Sequence, residues 1–262
     1  MAVSSQIEDL QTLLRQRGFG SSLPAGVPKP CPPVGTGFAG LDDLLGGGIP
    51  RGQITELTGS ASSGCTSLVL SILAESTMRG EVTAYIDATD CFDPPSGEKA
   101  GIVLERLLWV RCGESGGQRH GSTAQSLNRT TAKRTNDSTA QRLKRTIHDS
   151  RLAVHDQPWR AVNLVADAGG FGVVVLDLGG LSRRGLRAWQ NRPWMRLLHL
   201  IRGSSTALLV LTAQHLVSSG SALVLELSRQ KTHWTGAAGV SLLLNGISAQ
   251  ARVVHQRRQG HS

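Results

Sequence analysis

The chain has 262 residues, with 28 Lys and Arg against 19 Asp and Glu, a net charge of +9 and a sequence pI of about 10.2. Its apolar fraction of 39% is enough for one sizeable core, which fits one α/β domain with extensions. Four cysteines (Cys31, Cys65, Cys91, Cys112) without metal spacing exclude a small disulfide scaffold and a zinc module, and no apolar run approaches the ~18 residues of a membrane span.

The excess of positive charge favours an anionic partner, nucleic acid above all. The N-terminus is too polar for a signal peptide, so reduced thiols and a cytoplasmic location are expected. Ser5 and Glu8 read as a capping box, and Ile7, Leu10, Leu13 and Leu14 then share one face. An amphipathic helix is expected over 1–19, packed on its own domain or on another chain. Residues 20–35 are rich in Pro, Gly and Ser and read as a linker.

A core is expected over 36–228. Residues 38–45 read as a short helix, and 46–52 as a turn. Residues 53–58 alternate as a strand, and a glycine-rich loop follows. Leu68, Val69, Ile72 and Leu73 mark an apolar helix, and 82–87 a second strand. Strand, loop, helix and strand make a βαβ unit, which requires a mostly parallel central sheet flanked by helices. Residues 107–110 read as a brief strand. Residues 113–151 are almost all polar and carry Arg119, Arg129, Lys133, Arg134, Arg142, Lys144, Arg145 and Arg151. They read as a disordered basic insertion, either an inert loop or a nucleic-acid-contacting arm. A helix over 158–168, a buried strand over 171–177, a basic segment at 183–187, a helix over 194–201 and a strand over 206–212 come next. Strands at 222–228 and 246–254 close the pattern. Residues 229–262 form a C-terminal strand segment with a basic tail.

The chemistry concentrates at Gly59, Ser60, Ala61, Ser62, Ser63, Gly64, Cys65 and Thr66. This is the phosphate-binding pattern G-x-x-x-x-G-K-[ST] with one departure: Cys65 stands where the lysine belongs. Such a loop curls backbone N–H groups and a helix N-terminus around phosphate oxygens. Thr66 sits where a hydroxyl would ligate Mg²⁺. A thiol cannot supply the missing cation, so stabilisation of a transferring phosphoryl group is largely lost. Asp177 ends a hydrophobic strand and fits the acid that holds a magnesium shell. Gln214 ends the next strand, where a polar side chain could sense a γ-phosphate; an ordinary loop glutamine is an equal reading.

The run from Val34 to Pro94 resembles the RecA recombinase family. Residues 36–42 (TGFAGLD), 48–56 (GIPRGQITE), 59–66 (GSASSGCT) and 86–94 (IDATDCFDP) are similar to successive motifs of its core, in order. The resemblance implies an α/β RecA-like P-loop core with C-terminal antiparallel strands. It implies ATP with Mg²⁺ as the family's cofactor, held weakly at best here. It also places the water-activating glutamate at Thr89, with Asp90 beside it as an imperfect substitute. With two catalytic groups missing, no catalytic residue is assigned and ATP hydrolysis is not expected. A shorter RecA-like chain with a degenerate site and a basic end is similar to the ImuA group. That implies an accessory role in SOS-type translesion synthesis, with single-stranded DNA, RecA and an ImuB-like or polymerase partner, and with oligomers open. A divergent DNA-dependent ATPase or recombinase, and a RecA-fold protein–protein regulator without DNA contact, stay as alternatives.

For DNA contacts the candidates are Arg183, Arg184, Arg187, Arg229, Lys231, Arg252, Arg257 and Arg258. Trp189, Trp194 and Trp234 could stack on bases, but burial or a protein contact is the stronger expectation. The eight histidines are scattered and suggest no metal site.

Overall fold

The computed structural model describes residues 31–112, 156–190, 192–217, 220–235 and 243–256. The expected N-terminal helix, most of the linker, the basic insertion, Arg257 and Arg258 lie outside them. A seven-stranded sheet forms the frame. Its strands are β1 (Ile54–Gly59), β2 (Thr83–Asp87), β3 (Leu107–Arg111), β4 (Val173–Asp177), β5 (Ala207–Thr212), β6 (Ser221–Thr235) and β7 (Leu243–Gln256). They lie in the order β3-β2-β4-β5-β1-β6-β7, with all pairs parallel except the antiparallel β6–β7. The helices are α1 (Ala39–Leu45), α2 (Cys65–Met78), α3 (Pro94–Lys99), α4 (Asp156–Ala168), α5 (Arg183–Gln190) and α6 (Trp194–Ile201).

The central strands read as unbroken apolar runs because the sheet is covered on both faces. Alternate residues serve the two cores. Ala84, Ile86, Val174, Leu176, Leu208 and Val210 join one core with Val162 of α4, Leu186 of α5 and Leu197 of α6. Leu57, Tyr85, Val173, Val175, Leu209 and Leu211 join the other with Leu68, Val69, Ile72 and Leu73 of α2. Trp189 and Trp194 are buried in the first core with Trp159 against them, at ring separations of 5.2–6.2 Å. Burial, rather than exposure for base stacking, is therefore their place. The side chain of Trp234 lies outside the described ones.

At the N-terminal edge of the sheet Arg51 gathers four segments. Its guanidinium donates to the carbonyls of Pro32 (2.8 Å), Gly172 (3.1 Å) and Ser205 (2.6 Å), and Nη2 pairs with Glu81 Oε1 at 2.6 Å. Ser76 Oγ donates to the other oxygen of Glu81 at 2.7 Å.

Three elements differ from expectation. The last two strands are far longer than 222–228 and 246–254, and β6 runs without a break across 228–229, where the core was expected to end. Polar residues such as Ser228, Arg229, Gln230 and Lys231 carry no burial signal; the backbone ladder between β6 and β7 continues past them, with a register shift between Arg229 and Lys231. The basic segment at 183–187 is the first turn and more of a helix, α5, held by Gly185, Leu186 and Trp189 on its buried side.

Candidate functional site

The loop between β1 and α2 sits at the C-terminal end of β1, between α1 and the β6–β7 hairpin. Its glycines are required by crowding and by backbone angle. A Cβ on Gly59 would stand 2.3 Å from Ser63 Oγ, 2.8 Å from Cys65 Sγ and 2.8 Å from the Leu227 carbonyl. Gly64, the residue before α2, has a φ of +97°, and a Cβ there would lie 3.0 Å from that of Ala249.

Cys65 is buried inside the loop, and Ser63 Oγ donates to its Sγ at 3.3 Å. Burial pushes the Cys65 thiol up, the hydrogen bond from Ser63 lowers it by less, and the charge of Asp177 adds to the rise. The thiol is thus neutral where the motif would carry a cation. Ser60, Ala61, Ser62 and Thr66 are exposed to the cleft.

The cleft has a volume of about 760 Å³. One wall is α1 with the residue before it, where Leu44 and Phe38 are 57% and 52% exposed. The opposite wall is Leu227, Ala249, Gln250 and Ala251 of the hairpin. Asp177, Gly179, Gly180, Leu211 and Thr212 close the base. Among the described residues that line it, none is Lys, Arg or His.

Asp177 is held from two sides. Tyr85, one strand over on β2, donates its hydroxyl to Oδ2 at 2.5 Å, and the Gly179 amide donates to Oδ1 at 2.8 Å. Burial raises the Asp177 carboxyl above its ordinary range despite both donors, with Asp87 adding to the rise. Burial likewise raises the Tyr85 phenol, and Asp177 raises it further, so the hydroxyl stays a donor.

Beyond β2, Asp87 organises the turn: it accepts from the amides of Thr89 (3.2 Å), Cys91 (3.1 Å) and Phe92 (2.8 Å). Thr89 lies against Gly180, whose Cβ would stand 2.4 Å from its Oγ1. Asp90, at φ +58°, is engaged by Arg111, through Nε at 2.6 Å and through Nη2. Its carboxylate is drawn to that guanidinium. At the end of β5 the cleft is bounded by Thr212 and Ala213. Gln214 comes one residue later, half-buried, with its backbone held by the Thr212 hydroxyl.

A magnesium nucleotide, which the loop motif implies, does not fit these residues. Among the described residues no cation faces the loop, and Asp177 already accepts from one protein donor on each oxygen. Among the described residues no cluster of His, Cys, Asp and Glu could hold a metal ion.

The candidate DNA-contacting residues among the described ones fall on three elements. Arg183, Arg184 and Arg187 are exposed on α5; Arg229 and Lys231 are exposed on β6. Arg252 of β7 pairs with Glu226 through Nη2 at 2.5 Å and is partly neutralised there. Tyr85 and Asp87 are the site residues that motif reasoning missed. The one available signal was that Tyr85 is the only tyrosine of the chain, two positions before an acid at a strand end.

Sheet order, covered faces and the loop at the end of β1 define the class: a RecA-like α/β core with a P-loop whose lysine is a cysteine. Residues 10–132 match the family model of the RecA N-terminal domain. The chain is 41% identical over 103 residues to Protein RecA of Paracoccus denitrificans, covering 38% of this chain and 29% of that one. It is 42% identical over 110 residues to Protein RecA of Marinobacter nauticus, covering 41% and 30%. These matches span less than a third of the relatives' length. A crystal structure of the RadB recombinase aligns over 86% of this chain and 90% of its own, with a TM-score of 0.52 and 18% identity, a likeness of fold. None of the helices among the described residues is long and apolar enough to cross a membrane.

Proposed function

We propose that this chain is a RecA-like accessory protein of DNA repair, of the ImuA kind, that serves mutagenic lesion bypass without hydrolysing ATP. It works in the cytoplasm, contacts single-stranded DNA through α5 and the β6–β7 hairpin, and docks on RecA or a translesion polymerase. The observation that carries this reading is the cleft: the P-loop is kept while none of the described residues that line it is a cation. Exposed Arg183, Arg184, Arg187, Arg229 and Lys231 support the DNA contact.

The test is twofold. Affinity for a labelled single-stranded oligonucleotide should fall steeply as salt rises, because phosphate contacts release counterions. ATP turnover should be absent with and without that DNA. Turnover abolished by Asp177→Ala would overturn the non-hydrolytic part in favour of a divergent DNA-dependent ATPase. Absence of binding at low salt would overturn the DNA contact and leave a protein–protein regulator.

A further inference from the structure

We infer that Tyr85 is a second lock on the cleft: its hydroxyl, together with the Gly179 amide, holds Asp177 so that restoring the loop's cation alone does not restore binding of a magnesium nucleotide. The first lock is Cys65, inside the loop with Ser63 Oγ 3.3 Å from its sulfur. The second is a separate hydrogen bond, between β2 and the end of β4. Tyr85 pairs in register with Val175, and Asp87 with Asp177, so Tyr85 and Asp177 share one face of neighbouring strands. Both are buried, at 1% and 7% exposure, so bulk water does not compete for their hydrogen bond.

The water shell of a magnesium ion consists of donors. At Asp177, buried to 7% exposure, that shell would compete with Tyr85 for Oδ2 and with the Gly179 amide for Oδ1, each of which already takes one of the two acceptor sites of its oxygen. Phenylalanine keeps the ring and removes only that donor, so the lock resides in one oxygen atom.

The inference rests on the non-hydrolytic reading of the cleft. ATP turnover by the natural protein would sink both, whereas magnesium-dependent ATP binding without turnover would sink this one alone. The experiment is calorimetric titration of ATP, in magnesium chloride and in EDTA, into the full chain and its Cys65→Lys, Tyr85→Phe and doubly substituted variants. The natural chain and both single variants should show no gain from magnesium. The double variant should bind ATP at least about tenfold tighter with magnesium than without. Cys65→Lys combined with Tyr85→Leu opens the same lock should the first double variant not fold. A magnesium-dependent gain in Cys65→Lys alone as large as in the double variant would overturn the inference. So would a folded double variant, verified by circular dichroism, that shows no gain.

Discussion

Glu56 sits within β1 with its side chain fully buried and ties down the segment that follows β5. Its Oε1 accepts from the amides of Leu216 (2.5 Å) and Val217 (3.2 Å), and Oε2 lies 2.5 Å from His215 Nδ1. Burial raises its carboxyl above the ordinary range, against the pull of Leu216 and His215. Replacing Glu56 by Ala strips the acceptor from two buried amides, each costing roughly 1–3 kcal/mol when left unmade. Urea denaturation of Glu56→Ala should therefore show a loss of about 3 kcal/mol or more. Glu81 behaves in the opposite way with pH. Burial pushes its carboxyl up, but the hydrogen bonds from Arg51 and Ser76 outweigh burial and hold it below the ordinary value of 4.5. A depressed acid contributes stability that is present above its unfolded pKa and is lost as pH falls through the folded one. The melting temperature of the natural chain should accordingly drop more than that of Glu81→Gln between about pH 6 and about pH 3. A raised acid such as Glu56 has the reverse sign: its contribution declines as pH climbs from the ordinary carboxylate range through the higher folded value. At this scale the sequence was legible where a motif names the residue, as at Gly59, Gly64 and Asp177. Glu56 and Tyr85 were not legible, because their partners are set by strand register across 160 and 92 positions of chain.

The β6–β7 hairpin shows what a pattern of apolar residues can and cannot disclose about an element. Leu223, Leu225 and Leu227 are buried and mark the first part of β6. Past Leu227 the strand continues through exposed residues, held by pairing such as Ser228 with Gln250 and Lys231 with Ser248. Register shifts at 229–231 and 233–234 break the alternation that would otherwise reveal it. In α5, by contrast, three arginines hid a helix whose buried side needs only Gly185, Leu186 and Trp189. If the hairpin contacts phosphates, Arg229→Ala with Lys231→Ala should weaken single-stranded DNA binding whatever the base sequence. The slope of log affinity against log salt should flatten by ~1.4, for two phosphate contacts at ~0.7 each. An unchanged slope would remove β6 from the interface and leave α5 as the candidate.

At the scale of the whole molecule, the fold was the most legible feature. Continuous apolar runs, a strand–loop–helix–strand unit and acids at strand ends together require a parallel sheet covered on both faces. The position of β6 beside β1 was not legible, since nothing in 221–235 distinguishes a parallel neighbour of the first strand from a detached hairpin. That placement decides the shape of the site, because it lays Leu227 and Ala249 against the loop. Arg51 belongs to this scale too. Its partners Pro32, Glu81, Gly172 and Ser205 stand 19, 30, 121 and 154 residues away along the chain. Contacts across such separations form only after most of the chain has collapsed, since the cost of closing long loops precedes their reward. Arg51 is therefore a fastener applied late. Stopped-flow measurements on Arg51→Met should find unfolding faster by about tenfold or more, with the folding rate almost unchanged. The guanidinium at the sheet's edge thus governs how long the folded chain lasts more than how quickly it forms.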